Sequence, residues 1–445
     1  MMTVSTPAAR QQAAPLHTSD EVRRTFAKVT LRIIPFLFVC YVFAYLDRVN
    51  IGFAALQMKQ DLAFSDAVYG LGAGIFFLGY FLFEVPSNLL LEKIGARKTL
   101  MRIMVVWGCI SASFAFITTP TQFYLARFLL GAFEAGFFPG IVLYLTYWYP
   151  PAMRGKIITL FMSAIAVSGV IGGPLSGWIM VNMTGASGLG GWQWLFIIEA
   201  VPSIILGVLV MFVLSDKPAD ARWLTARERD ILTHEVGDPG THGHDHSFVK
   251  TLRDPRLYAL SMIYFTIAAG LYIISFWLPE MVRSYHVTNP LQIGILTAIP
   301  YVVTCVGMVI VGKHSDKTGE RRWHVALGMI VAAIGLVAVT LVHSSLVVAL
   351  VVFSITTLGI LTAMPLFWTI PTSYLSASGA AGGIAVINSI GLIGGFASPS
   401  VLGWVKITTG SLNYGLYTFA ITLVLGAILL LTAMPQRLLK SGARV

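Results

Sequence analysis

Charge is what this sequence has least of. Only 11% of its 445 residues are Asp, Glu, Lys or Arg, while 56% are hydrophobic. A soluble domain carries about a quarter charged residues. A chain this apolar could not cover a water-facing surface, so lipid must be the solvent for much of it. The net charge of +10 would suggest nucleic acid only if the basic residues clustered on one folded face. They sit instead in short segments between apolar runs, which excludes that partner. Cysteine is scarce too. Cys40, Cys109 and Cys305 each lie inside an apolar run, so no disulfide framework is expected. No cleavable signal is expected either, because the first apolar run is too long for a signal segment and follows about 30 polar residues. No motif implies a cofactor or a metal. The alternating His242, His244 and His246 lie in a polar stretch of the kind that rarely closes a metal site.

What the chain does contain is twelve apolar runs long enough to cross a ~30 Å hydrocarbon core at 1.5 Å per residue. They fall at 30–56, 68–92, 99–118, 121–149, 156–183, 192–214, 256–281, 291–313, 323–342, 346–373, 380–405 and 412–435. The expected organisation is a tail over 1–29, six spans over 30–214, a polar linker over 215–255, six spans over 256–435, and a tail over 436–445. Residues 1–28 read as disordered. Of the 30 lysines and arginines, only Lys59, Arg283 and Lys406 fall in odd-numbered turns, and only Arg48 and Arg127 lie deep within spans. The other 25 lie in or beside the even-numbered turns, the tails and the central linker. By the positive-inside rule both termini and the linker are cytoplasmic.

The two halves repeat one another. Asn88-x-x-x-Glu92-Lys93-x-Gly95-x-Arg97-Lys98 follows the second span, and Gly312-x-x-x-Asp316-Lys317-x-Gly319-x-Arg321-Arg322 follows the eighth, every pair 224 residues apart. Pro139 with Pro365, and Gly177-Trp178 with Gly403-Trp404, repeat at an offset of 226. Six-helix halves in the same orientation require an axis along the membrane normal. The acid–base–glycine–base loop resembles the signature of the major facilitator superfamily, which implies an all-α fold of twelve transmembrane helices in two parallel-repeat halves. This copy departs from the pattern at Asn88, where glycine is usual, and at Glu92, where aspartate is usual.

Ionisable side chains at membrane depth are costly, roughly 2.5–3.5 kcal/mol on insertion scales, and mark functional sites. Here they are Asp47, Arg48, Glu84, Arg127, Glu134 and Glu199. Adjacent helical residues are about 100° apart, so Asp47 and Arg48 cannot face the same way. Arg127 and Glu134, seven positions apart, share a stripe but are two turns from direct contact. A purely structural charge network stands beside the functional reading of these groups. Glu84 and Glu199 are expected to be structural. Gly169-x-x-x-Gly173-Pro174-x-x-Gly177 resembles a span-five motif of drug:proton antiporters, broken at Trp178, and equally suits tight helix packing.

Tyr45-Leu-Asp47-Arg48-x-Asn50 in span one, Gly79-Tyr80 through Asn88 in span two, and Arg127-x-x-x-Gly131-x-x-Glu134-Ala-Gly136 in span four together resemble the anion:cation symporter family. That family includes carriers of sugar acids, tartrate, phthalate and hydroxyphenylacetate. The resemblance implies that Asp47 and Glu134 couple protons and that Arg48 binds a substrate carboxylate, with Arg127 as the charge partner of Glu134. Tyr45 and Tyr80 offer hydroxyls to the substrate, and Trp368, Thr369 and Asn388 on spans ten and eleven form the other wall of the cavity; for Asn388 the resemblance itself implies a substrate contact. For Tyr45, Trp368 and Thr369, ordinary packing is an equal reading. Ile165 stands where sugar-acid carriers place a glutamine, which favours tartrate or an aromatic acid. The expectation is a monomeric, proton-coupled importer of a small organic anion in the inner membrane. A drug or metabolite antiporter on the same fold is the competing reading. An enzyme would need a nucleophile–base pair or metal cluster at one depth, and His286, His314, His324 and His343 read as scattered at span ends.

Overall fold

A computed structural model describes residues 18–236, 252–374 and 377–435. The run His242, His244 and His246 and both ends of the chain lie outside the described residues. Twelve helices are long and apolar enough to cross a membrane, one in each expected run: Ser19–Asp61, Asp66–Leu91, Ala96–Phe116, Pro120–Thr146, Met153–Asn182, Gly191–Val213, Pro255–Arg283, Pro290–Thr318, Arg322–Val339, Leu346–Pro371, Gly382–Thr409 and Asn413–Ala433. They are numbered here as spans one to twelve.

Local chemistry sets where they start. Pro120, Pro255 and Pro290 each open a helix, behind Thr119, Asp254 and Asn289 side chains that accept hydrogen bonds from first-turn amides. Proline loses nothing at that position, because the first amides have no partner within the helix. Span one corrects the expected tail. Its helix begins at Ser19 rather than near residue 30, because Thr18 and Glu21 form a reciprocal capping box. That satisfies two otherwise orphaned amides before the apolar run begins. The linker also carries structure: a helix over Ala226–Val236 buries Ile231 and Leu232. Lys28 bonds Glu228 at 2.8 Å, and Trp223 stacks on Trp148 at 5.8 Å, so this segment is docked on the first half.

The outer face is apolar, as lipid demands: Phe212 and Val347 are more than 70% exposed. The seams between spans are lined by small residues. Span eight packs on span five and span eleven on span two. A Cβ at Gly177 would lie 2.5 Å from the Pro290 carbonyl, and one at Gly173 would overlap the Gly294 carbonyl. The span-five glycines therefore serve close helix approach in this structure, the packing reading of that motif. At the repeat-related seam, a Cβ at Gly403 would overlap the Asp66 carbonyl.

Span four is broken in mid-membrane. Its first segment ends at Glu134 and its second starts at Phe137. Between them Gly136 adopts φ +86°, and a Cβ there would overlap the Ser87 side chain. The break leaves Glu134 at the carboxyl end of a half-helix, beside the gap.

Gly131, one turn before that break, faces the Phe76 carbonyl of span two so closely that a Cβ would overlap it. Overpacking of this kind costs about 1–3 kcal/mol. Gly131→Ala is expected to fall at the upper end of that range, read as a lower melting temperature of the purified protein in detergent. Gly155→Ala, with open space around it, is expected to melt like the parent.

Candidate functional site

The broken fourth span delivers Glu134 to the place where Arg48 arrives from span one. Both are almost fully buried. Arg48 Nε donates to Glu134 Oε1 at 2.9 Å, and Arg48 Nη2 donates to the same oxygen. The third guanidinium nitrogen, Nη1, reaches the Tyr272 hydroxyl at 3.0 Å. Glu134 Oε2 is buried with no hydrogen-bond partner. The guanidinium also lies among aromatic faces, its carbon 5.3 Å from the Phe76 ring centre and 5.4 Å from that of Tyr80. Aromatic faces attract a cation most where water is excluded.

Arg48 borders a small cavity between the halves. Tyr41, Tyr45, Tyr80, Tyr264, Tyr272 and Asn388 supply its other polar lining, and Ile165, Met162, Leu271, Met364 and Leu392 its apolar walls. Tyr45 bonds Ser275 at 2.9 Å across the two halves. Asn388 Nδ2 donates to Glu84 Oε1 at 2.7 Å, so the carboxylate of span two and the amide of span eleven are joined beside the cavity. Ile165 forms part of the apolar wall where a glutamine would have offered an amide.

Four of the expected ligands, Arg48, Tyr45, Tyr80 and Asn388, meet at this cavity. Trp368 and Thr369 do not line it. The span-ten wall is Met364, while Trp368 backs Tyr264, ring centres 4.8 Å apart, and the Thr369 hydroxyl donates to the Leu366 carbonyl of its own helix at 2.6 Å. Arg127, the expected charge partner of Glu134, makes no direct ion pair with it, as their spacing implies. Arg127 donates to the carbonyls of Gly72 and Ala73 at 3.2 and 3.1 Å, and the ion pair of Glu134 is with Arg48. The reason is direction: each Cα–Cβ bond tilts toward the helix N terminus, so the Arg127 side chain leads away from Glu134.

Asp47 turns from the cavity, as its angle from Arg48 requires. It accepts from Trp107 Nε1 at 3.0 Å, Ser111 Oγ at 3.1 Å and Ser203 Oγ at 2.5 Å. One turn before Ser203 on span six, Glu199 accepts from Ser176 at 2.7 Å. Neither carboxyl has an ion-pair partner among the described residues. Tyr41, Tyr264 and Tyr272 were not anticipated. For Tyr272 a signal existed: it follows Arg48 by 224 residues, the offset that relates the two signature loops.

Those loops lie at the ends of the helices. Lys93 and Lys317 are exposed, and the Glu92 side chain lies outside the described residues. Gly95 takes φ +91° beside Asp216, whose carboxylate accepts from the Arg97 amide at 2.9 Å. In the second loop Asp316 pairs with Arg321 at 2.5 Å, and Gly319 takes φ +64°. His314 and His324, read as apart in sequence, touch at 2.8 Å across the turn between spans eight and nine. No cluster of three metal-ligating side chains occurs among the described residues.

The face of the odd-numbered turns is closed by charge. Lys59 bonds Asp66 at 2.7 Å and Glu280 at 3.4 Å. Lys406 bonds Glu280 at 3.0 Å and Asp66 at 3.2 Å. Arg283 adds a bond to the Leu56 carbonyl at 2.9 Å, and Tyr69 one to the Phe276 carbonyl at 2.6 Å.

The sequence profile of the Major Facilitator Superfamily matches residues 37–399. The chain belongs to that superfamily. Among its relatives, a putative tartrate transporter of Agrobacterium vitis is 48% identical over 93% of this chain and 92% of its own length. A quinolone resistance transporter of Acinetobacter baumannii is 38% identical over 90% and 93%. The fold also matches the crystal structure of a bacterial homolog of the human lysosomal transporter Spinster, inward-facing and unoccupied. That match has a TM-score of 0.68 at 17% identity, covering 96% of this chain and 98% of that one. As a superfamily member the chain is a multi-pass membrane transporter and not an enzyme.

The geometry separates the two span-four charges. Arg127→Lys would leave a buried carbonyl without its donor, a loss of about 1–3 kcal/mol. It is therefore expected to lower thermal stability, whereas the pH profile of ligand binding stays that of the parent. A shifted pH profile with unchanged stability would return Arg127 to partnership with Glu134.

Proposed function

We propose that the protein imports a small organic carboxylate together with protons, with Arg48 passing between Glu134 and the substrate. The observation that carries this reading is the unequal use of Glu134: the Arg48 fork is spent on Oε1, while Oε2 is buried and unpartnered. Oε2 is therefore the atom at which a proton can be taken up without displacing an existing bond. Protonation removes the charge that holds Arg48. An arriving carboxylate then finds a planar guanidinium whose fork matches it. Departure of the anion returns Arg48 to Glu134 and expels the proton, so anion and proton move together. Asp47, held by three donors on spans three and six, serves as a second proton carrier in the first half. The two halves rock about the cavity to expose it to each side in turn.

The tartrate-transporter relative supports the carboxylate reading, as does a cavity with a single guanidinium at its edge. The quinolone-resistance relative favours export of a drug by proton exchange as the second reading. Positive charge on the even-numbered turns supports a topology with both termini and the linker on the cytoplasmic side of an inner-membrane protein. The protein is taken to act as a monomer.

Proteoliposomes with an imposed proton gradient decide between the readings. An inward gradient is expected to drive accumulation of a carboxylate such as tartrate, and proton flow with the substrate separates symport from exchange. Glu134→Gln keeps the shape and removes the titratable group. It is expected to abolish accumulation while counterflow exchange survives, and Asp47→Asn is expected to act likewise. Accumulation against a gradient by both variants would refute the assignment.

Arg48→Lys keeps the charge but loses the fork. Carboxylate affinity at saturating proton concentration is expected to fall by at least about tenfold, equivalent to about 1.4 kcal/mol. Unchanged affinity would mean that the anion is held elsewhere.

A further inference from the structure

Glu84 has no place in the coupling scheme, yet it is a carboxylate only 3% exposed at the joint between the halves. Its two oxygens accept from span eleven, Oε1 from Asn388 Nδ2 at 2.7 Å and Oε2 from Ser389 Oγ at 3.4 Å. A carboxamide has one donor end and one acceptor end. With one N–H of Asn388 held by Glu84, the amide's orientation is fixed and its acceptor end, Oδ1, is left without a partner among the described residues. Asn388 lines the cavity. Its Oδ1 accepts no hydrogen bond among the described residues, and it is absent from the buried, unsatisfied polar atoms. The carbonyl is therefore the acceptor that Asn388 keeps for a ligand in the cavity it lines.

We propose that Glu84 is a specificity-determining positioning residue: it fixes Asn388 with the carbonyl toward the substrate, so that the cavity selects carboxylates that also carry a hydroxyl. The inference rests on the reading of this cavity as a carboxylate site. The cavity then has two unlike poles. Arg48 donates at one, 5.4 Å from the Tyr80 ring centre. The Asn388 carbonyl accepts at the other, held by a residue one helical turn beyond Tyr80. A ligand that spans them needs an anion for the first and an O–H donor for the second. Its analogue lacking the hydroxyl leaves the carbonyl desolvated and unpaired, the kind of mismatch by which polar sites discriminate most strongly.

Two ligand pairs, compared where every carboxyl is ionised, differ only in hydroxyls: L-tartrate, with two, against succinate, and 4-hydroxyphenylacetate, with one, against phenylacetate. Their dissociation constants are measured by ligand-induced thermal stabilisation of the purified full-length protein. In whichever pair binds, the hydroxylated member is expected to bind at least about tenfold more tightly. Asn388→Leu removes the acceptor and is expected to bring the ratio below about threefold. Glu84→Gln lets the Asn388 amide turn over, because a carboxamide can serve either end of it, so the ratio is expected to fall there too. A Glu84 that merely braces the halves would weaken both ligands equally and leave the ratio unchanged, which overturns the proposal. A parent ratio near one overturns it as well. If no carboxylate in either pair binds the parent protein, the carboxylate reading itself fails, and this inference with it.

Discussion

The structure depends on one ion pair that neither partner can leave alone. Arg48 and Glu134 are both removed from water, where an uncompensated charge costs several kcal/mol. Each makes the other tolerable, and only a substitute of the right charge can separate them. A carboxylate can take the place of Glu134 on the guanidinium, and a proton can take the place of the guanidinium on Glu134. In the proposed mechanism the two substitutions require one another, which would give coupling a physical meaning without a large movement at the site. The broken fourth span contributes the setting. A continuous helix would carry the chain straight on past Glu134, whereas the turn at Gly136 ends the helix there, so the residue that meets Arg48 sits at a helix end.

Much of this was legible in the sequence because the bilayer imposes simple rules. Span count followed from the lengths of apolar runs, and the relation between halves from two repeated loops. Cost alone singled out the buried charges, since an ionisable group at membrane depth is kept only where it braces the helices or serves the site. The divergence of Asp47 from Arg48 followed from helical geometry, and the structure shows Asp47 facing spans three and six. What periodicity could not reveal was the partner of Arg127. Its ligands are the carbonyls of Gly72 and Ala73, and backbone acceptors carry no mark in a sequence. Trp368 and Thr369 lie off the cavity for a related reason. Polar side chains on a membrane helix can satisfy themselves on their own backbone or on a neighbouring ring.

The aromatic lining was hidden differently. Tyr41, Tyr264 and Tyr272 sit in apolar runs, where a tyrosine facing lipid and one facing a cavity look the same. Only the internal repeat distinguishes Tyr272: the position related to Arg48 in the second half carries a neutral hydroxyl. The two copies of an ancestral position thus meet across the pseudo-symmetry axis, one keeping a charge and the other a group able to bond it. A second cation there would have repelled the first at close range in a low dielectric. Divergence at this pair is what allows a single guanidinium to sit at the centre.

The ring of charges on the face of the odd-numbered turns has its own consequence. Lys59 and Asp66 belong to the first half, Glu280 and Lys406 to the second, and each half contributes one charge of either sign. The two contacts within halves, at 2.7 and 3.0 Å, are shorter than the two that cross between them, at 3.2 and 3.4 Å. Parting the halves at this face would break the crossing pair and keep the others. Each half would retreat as a neutral dipole rather than as a bare ion. Its field dies away faster with distance than that of a lone charge, so the two surfaces could separate into water and meet again with little long-range attraction or repulsion to overcome.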